Sequence, residues 1–187
     1  MINKTVGDRY ELAKMFVERK FTRGAEIGVR AGGFSEILLQ NENIVKLYSV
    51  DPWDIVYQDP RSRSEGKIKQ ESYFQQAQER LSKYPASEII RKTSLEAVRE
   101  IPHESLDFVY IDGAHTFDYV MTDIIEWSKR VRKGGIVSGD DYKPHKYGDV
   151  ITPVNLYATA HKIKTLNIMY PKDIVRDITP QWWFIKQ

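Results

Sequence analysis

Four short turns, each closing an apolar run and tipped with acid, constrain this chain more than any other feature. They read A-E-I-G-V-R-A-G-G at Ala25–Gly33, Y-S-V-D-P-W at Tyr48–Trp53, V-Y-I-D-G-A-H at Val109–His115 and I-V-S-G-D-D-Y at Ile136–Tyr142. Short apolar runs bounded by glycine, proline and aspartate read as strands. In an open parallel sheet the carboxyl ends of the strands border the ligand crevice. The four turns therefore describe one site lined with carboxylates and glycines. Such a site suits a ligand carrying a positive charge and a ribose, and it has the side chains for a metal ion.

The rest of the chain alternates strand and helix. A helix is expected over about Asp8–Arg19, strands at Ala25–Gly28 and Ile44–Val50, and a helix around Phe34–Gln40. Residues 54–70 are polar with no apolar periodicity and read as a lid or loop without regular structure. Glu71–Lys83 reads as a helix, Glu88–Arg91 as a strand, and Thr93-Ser94-Leu95-Glu96 as a capping box opening a short helix. Leu106–Ile111 is an apolar strand. Phe117, Val120, Met121, Ile124, Trp127 and Val131 form a helical stripe stopped by Gly134-Gly135. Gly135–Ser138, a helix around Asp149–Lys162, and strands Thr165–Tyr170 and Trp182–Lys186 complete the pattern. That order implies an α/β sandwich with a mostly parallel, seven-stranded sheet and a final antiparallel strand. No linker or repeat divides residues 1–187, which read as a single domain.

Bulk properties exclude several classes. A net charge of +2 is too small to argue for a nucleic-acid partner. No apolar run approaches a membrane span, and the first residues lack a secretory pattern, so a cytoplasmic protein without a membrane partner is expected. The absence of cysteine removes disulfides, thiolate nucleophiles and thiolate metal sites.

The first turn selects among nucleotide-like ligands. Glu26-Ile-Gly28-Val-Arg-Ala-Gly32 departs from the dinucleotide fingerprint by ending its strand with an acid. A carboxylate there repels a pyrophosphate but favours an ammonium group, while Gly28 and Gly32 let the backbone approach the ligand. Asp51 ends the next strand, where an acid usually accepts hydrogen bonds from ribose hydroxyls. An ammonium and a ribose without phosphates describe S-adenosylmethionine. The alternative is that the glycines only turn the chain and Asp51 is a solvated loop acid. Trp53 fits either adenine stacking or the core. Ser94 could lie near adenine, although a role beside Thr93 at the helix start is simpler.

With E-I-G-V-R-A-G, V-D-P-W, Y-I-D-G-A-H and K-G-G-I-V-S-G-D-D-Y, the chain resembles the class I S-adenosylmethionine-dependent methyltransferases. It is most similar to the group containing catechol-type and macrolide-sugar O-methyltransferases. The likeness runs from about Gly24 to Tyr142. It implies a Rossmann-like three-layer sandwich and a divalent cation bound by Asp112, Asp140 and Asp141, with Asp112 also near the cofactor. It further implies His115 as general base, because the sugar enzymes carry histidine there and the catechol enzymes lysine.

Residue chemistry supports the same set. Three carboxylates at neighbouring strand ends suit a hard cation, Mg2+ first and then Mn2+ or Ca2+. His115 has the side chain whose ordinary pKa best fits a base near neutrality. The opposing readings are that Asp112 caps the following helix, His115 is a surface histidine, and Gly139-Asp140-Asp141 is an exposed turn.

Competing activities are weaker. An amino-type nucleic-acid methyltransferase calls for Asp/Asn-Pro-Pro-Tyr where Asp112-Gly-Ala-His115 stands, and a nicotinamide enzyme calls for the missing fingerprint. A metal-independent methyltransferase and a non-catalytic S-adenosylmethionine-binding module remain as alternatives. Tyr142, Lys143, His145 and Tyr147 are expected to border the acceptor, and their polarity suits a small hydroxylated molecule such as a sugar. Trp182-Trp183 reads as core or as a homo-oligomer contact.

Overall fold

The structure, a computed structural model, describes residues 1–54, 60–146, 148–172 and 179–187, with the side chains of 60–65 outside the description. In chain order the elements are β1 Ile2–Val6, α1 Arg9–Glu18, β2 Arg23–Ile27, α2 Gly33–Leu39, β3 Lys46–Val50, α3 Pro60–Leu81, β4 Ser87–Ile90 and α4 Ser94–Ala97. They continue with β5 Leu106–Ile111, α5 Phe117–Arg130, β6 Val131–Gly139, α6 Ile151–Ala160, β7 Leu166–Tyr170 and β8 Gln181–Ile185. All strands join one sheet in the order β1-β7-β8-β6-β5-β2-β3-β4. Every adjacent pair is parallel except the two made by β8, which runs antiparallel to β6 and β7. The expected antiparallel last strand is therefore present.

Alternation along the strands builds the layers. In β5, Phe108 and Tyr110 join the core with Leu12 and Phe16 of α1, Leu38 of α2 and Leu81 of α3. Val109 and Ile111 join the opposite core with Val120, Ile124 and Trp127 of α5 and Val154 of α6. Both faces of β5 are covered, as its near-continuous apolar run demands. The result is a three-layer sandwich whose strand order reverses between β2 and β5. Ligand crevices form outside the carboxyl ends of the strands at such a reversal.

Three boundaries differ from the sequence reading. Among the described residues the sheet has eight strands rather than seven, because β1 pairs in parallel with β7 at the edge. Each residue of β1 is exposed, so no burial pattern marks it in the sequence. Strand β6 begins at Val131 rather than Gly135. Val131 pairs with Leu106 and Ile136 with Phe108, so a bulge lies between them and contains Gly134 at φ 76°.

The stretch 54–70, expected to lack regular structure, is helical from Pro60 onward, with a break at Gly66 (φ 72°, ψ 161°). Charged side chains satisfy a solvated helix as readily as a loop, so their composition misleads. The remainder of that expectation, residues 55–59, lies outside the described residues.

Candidate active site

The glycine turn and the turn after β5 touch through backbone. Asp112 N donates to Ile27 O at 2.7 Å, and Gly28 N donates to Val50 O at 2.9 Å. Gly28 has φ +90°, and a Cβ there would lie 2.1 Å from Asp112 O. Only glycine lets these two strand ends meet. The Asp51 carboxylate braces the turn from the third strand end. Its Oδ2 accepts from Val29 N and Arg30 N, each at 2.9 Å, and its Oδ1 accepts from Trp53 N at 2.8 Å. Burial raises the Asp51 pKa, and those three donors oppose the rise.

Glu26 is enclosed rather than presented to solvent. Its carboxyl is 2% exposed and accepts from the Ser35 hydroxyl, which lies 2.7 Å from Ser49 Oγ. Burial pushes its pKa up to about 8 against that hydrogen bond. Direct contact with an ammonium group would require the buried Glu26 carboxyl to become accessible.

Trp53 is 2% exposed, packs on Phe74 with centroids 5.0 Å apart, and donates from Nε1 to Arg30 O at 2.7 Å. The packing favours the core role among the two readings of Trp53. Thr93 is the N-cap of α4 and forms the expected capping box with Glu96. Ser94 is buried, donating to Asp123 and accepting from Trp127 Nε1 at 2.8 Å.

The acids after β5 and β6 sort into two arms. His115 Nε2 lies 2.7 Å from Asp141 Oδ2 and 3.6 Å from Asp112 Oδ1. Among the described residues, Asp112, His115 and Asp141 offer one ligand atom each within 4.8 Å of one another. Asp140 points elsewhere. Its carboxylate binds Arg9 and accepts from Thr179, from Gln181 Nε2 at 2.6 Å and from Asp141 N at 2.6 Å. The expected trio Asp112, Asp140 and Asp141 is thus gathered at one corner of the fold, but His115 takes the place of Asp140 in the tightest cluster.

Electrostatics follow from these contacts. Burial works against a charged His115 ring, yet the Asp112 and Asp141 carboxylates outweigh it and push its pKa up to about 9. Burial also opposes ionisation of Asp141, but His115, Lys143 and His145 hold it well below the usual carboxylate range. Lys143 Nζ lies 3.4 Å from Asp141 Oδ1, and the His145 ring stacks on His115 at 5.3 Å. Burial and the neighbouring Asp112 raise Asp140, while Arg9 and Thr179 oppose the rise. Tyr142 donates to Asn155 of α6 at 2.9 Å, and Tyr147 lies outside the described residues.

Sequence reasoning missed Arg9, Thr179 and Gln181. Arg9 is 131 positions from Asp140, and no local motif marks it. Gln181 is fully buried on β8, where it also accepts from Tyr110 OH. An amide inside an otherwise apolar strand, Gln181-Trp-Trp-Phe-Ile185, was the one available signal.

A parallel sheet with a glycine turn and a braced acid at its reversal point is the architecture of class I S-adenosylmethionine-dependent methyltransferases. The chain belongs to the family described as a methyltransferase domain, which matches residues 25–142. Among solved structures, an O-methyltransferase from Bacillus cereus in complex with SAH superposes with a TM-score of 0.65 at 12% identity, over 95% of this chain and 80% of that one. The O-methyltransferase TomG from Streptomyces achromogenes, involved in tomaymycin synthesis and in complex with SAM, gives 0.64 at 15%, over 96% and 79%. An rRNA methylase from Streptococcus thermophilus gives 0.67 at 13%, over 97% and 98%. At these identities the likeness is one of fold.

An uncharacterized protein of Acanthamoeba polyphaga mimivirus is 27% identical over 128 residues, 68% of this chain and 55% of that protein. The chain spans little more than half the length of that curated relative. Among the described residues, no helix is long and apolar enough to cross a membrane.

Proposed function

We propose that the chain transfers the methyl group of S-adenosylmethionine to a hydroxyl of a small polyhydroxylated acceptor such as a sugar, aided by a divalent cation. One observation carries this reading. Two strand-end carboxylates, Asp112 and Asp141, converge on one imidazole nitrogen beside the glycine turn. Two carboxylates fit a hard divalent cation such as Mg2+ or Mn2+, which leaves the imidazole nitrogen to act as base. Asp112 and Asp141 would hold it, with His115 within reach of both. Bound there, such an ion would polarise the acceptor hydroxyl and ease its deprotonation.

The chain's own residues supply the remainder. Asp51 and the glycine turn position the cofactor, with a carboxylate suited to ribose hydroxyls. His115 takes the hydroxyl proton at Nε2 as the acceptor oxygen attacks the methyl carbon in line with the departing sulfur. The methyl carbon–sulfur bond breaks, and the neutral thioether leaves as S-adenosylhomocysteine. His115 can act only when neutral, so the proton it carries at neutral pH must leave first. Lys143 and His145, beside Asp141, have the hydrogen-bonding character a hydroxylated acceptor needs.

The test is S-adenosylhomocysteine release from a panel of sugars and catechols, with and without chelator. Release that needs an acceptor hydroxyl and is lost in chelator supports the proposal. Transfer only to amines or to RNA would overturn it. Undiminished transfer in chelator would favour the metal-independent reading, for which Arg9 and His115, as cations already set among the three carboxylates, speak.

A further inference from the structure

Helix α1 sends one side chain into the acidic corner. Asp8 caps the helix by accepting from Tyr10 N at 2.9 Å and Glu11 N at 3.1 Å, which fixes the first turn where Arg9 stands. The Arg9 guanidinium binds Asp140, and its NH1 lies 3.6 Å from Asp112 Oδ2. It also lies over the rings of Phe34 and Tyr110, at 5.6 and 5.9 Å from their centroids. Asp112 is shared: Oδ2 faces Arg9, and Oδ1 faces His115 at 3.6 Å. Asp140 is further held through its other oxygen by Thr179 and Gln181, two donors at or just before the start of β8, which leaves Oδ2 to the guanidinium.

We propose that Arg9 is a positioning residue that sets the donor set of the site. Its planar fork occupies the space between Asp112 and Asp140 as a built-in cation. It withdraws Asp140 from cation binding and leaves Asp112 and Asp141 to face an ion, with His115 beside them as base. The choice of a guanidinium is physical. It is permanently charged and presents several N–H donors in a rigid plane, so it can address two carboxylates at once. The inference rests on the cation reading of the preceding section and adds an N-terminal residue, outside the matched family region, to the site.

A merely structural ion pair predicts that removing Arg9 loosens the site and weakens cation binding. A built-in cation predicts the reverse, since Asp140 is released as a further ligand and a nearby positive charge disappears. The experiment is Mn2+ titration of the full chain followed by electron paramagnetic resonance. The proteins are the wild type, Arg9→Met, Asp140→Asn and the double variant, each checked for folding by thermal melt. Arg9→Met should tighten Mn2+ binding by roughly tenfold or more. Asp140→Asn alone should change it by less than about threefold, and in the double variant most of the gain should vanish, as expected for coupled neighbours.

A tenfold or larger loss in Asp140→Asn would make Asp140 a ligand and overturn the proposal, even if Arg9→Met fails to fold. Absence of any gain in folded Arg9→Met overturns it too. Binding by Arg9→Met but not by the wild type upholds the built-in cation while removing metal assistance from the native reaction. Silence from all four proteins ends both ideas.

Discussion

His115 carries the proton on which the proposed chemistry turns. Its pKa is raised from 6.5 to about 9 by the two carboxylates, so its ion pair stabilises the fold fully below pH 6.5 and is lost as pH rises through 9. That contribution is roughly 3 kcal/mol, and Asp141→Asn should remove most of it and return the imidazole toward its ordinary range. A pH titration of the imidazole by NMR, without added metal or cofactor, checks the shift; a histidine titrating near 6.5 would refute it. His115→Ala should lower turnover by about 10²–10⁴-fold with little change in cofactor affinity. Single-turnover kinetics and calorimetry separate the two effects. Asp51→Ala leaves three backbone donors unmet and should cost about 1–3 kcal/mol of stability, and on the proposed reading it also weakens cofactor binding. Unchanged urea unfolding in that variant would mean water replaces the carboxylate without penalty.

Helix α5 illustrates how one element carries both apolar core residues and a buried acid. Val120, Ile124 and Trp127 recur at helical spacing and are buried, and Ile124→Ala should cost about 2–5 kcal/mol. The same helix buries Asp123, which accepts from the Ser94 hydroxyl, and burial pushes its pKa up to about 7. A raised acid pKa means the folded state binds the extra proton, so ionising Asp123 destabilises the fold as pH rises from about 4 through 7. Asp123→Asn keeps an acceptor for Ser94 and removes that charge. It should raise stability by about 1–3 kcal/mol at pH 8 and do little at pH 4. Equal denaturation midpoints at pH 8 would show that Asp123 finds other solvation.

At the scale of the molecule, the order of the sheet determines both stability and function. Strands β2, β5 and β6 are central and covered on both faces, whereas β1 and β4 are edges. Hydrogen exchange should therefore protect the β2–β5–β6 amides most and those of β1 least. Uniform protection across the sheet would contradict this picture. The strand reversal between β2 and β5 brings Gly28 against Asp112, and the antiparallel β8 carries Gln181 back to Asp140. Helix α1 then reaches the same corner from the opposite end of the sequence.

The sequence by itself determined the α/β alternation, the parallel core strands, the acidic turns and the glycine positions. Each of these is a local pattern: apolar runs for β5, a helical stripe for α5, and a turn that only glycine tolerates at Gly28. Thr93 and Glu96 are likewise local, a capping box readable within four residues. Only the tertiary structure decided which carboxylates face one another. The adjacent acids Asp140 and Asp141 look equivalent in the sequence, but Asp141 adopts φ +60° and turns to His115 while Asp140 turns to Arg9 and Gln181. The exposed β1 escaped detection because it buries no periodic face, and the start of α3 because its charged sequence carries no apolar periodicity. Arg9 was invisible because pairing over 131 positions leaves no trace in local spacing. Carboxylate–cation pairing depends on distances of a few ångströms through space, which the chain order does not encode until the sheet is assembled.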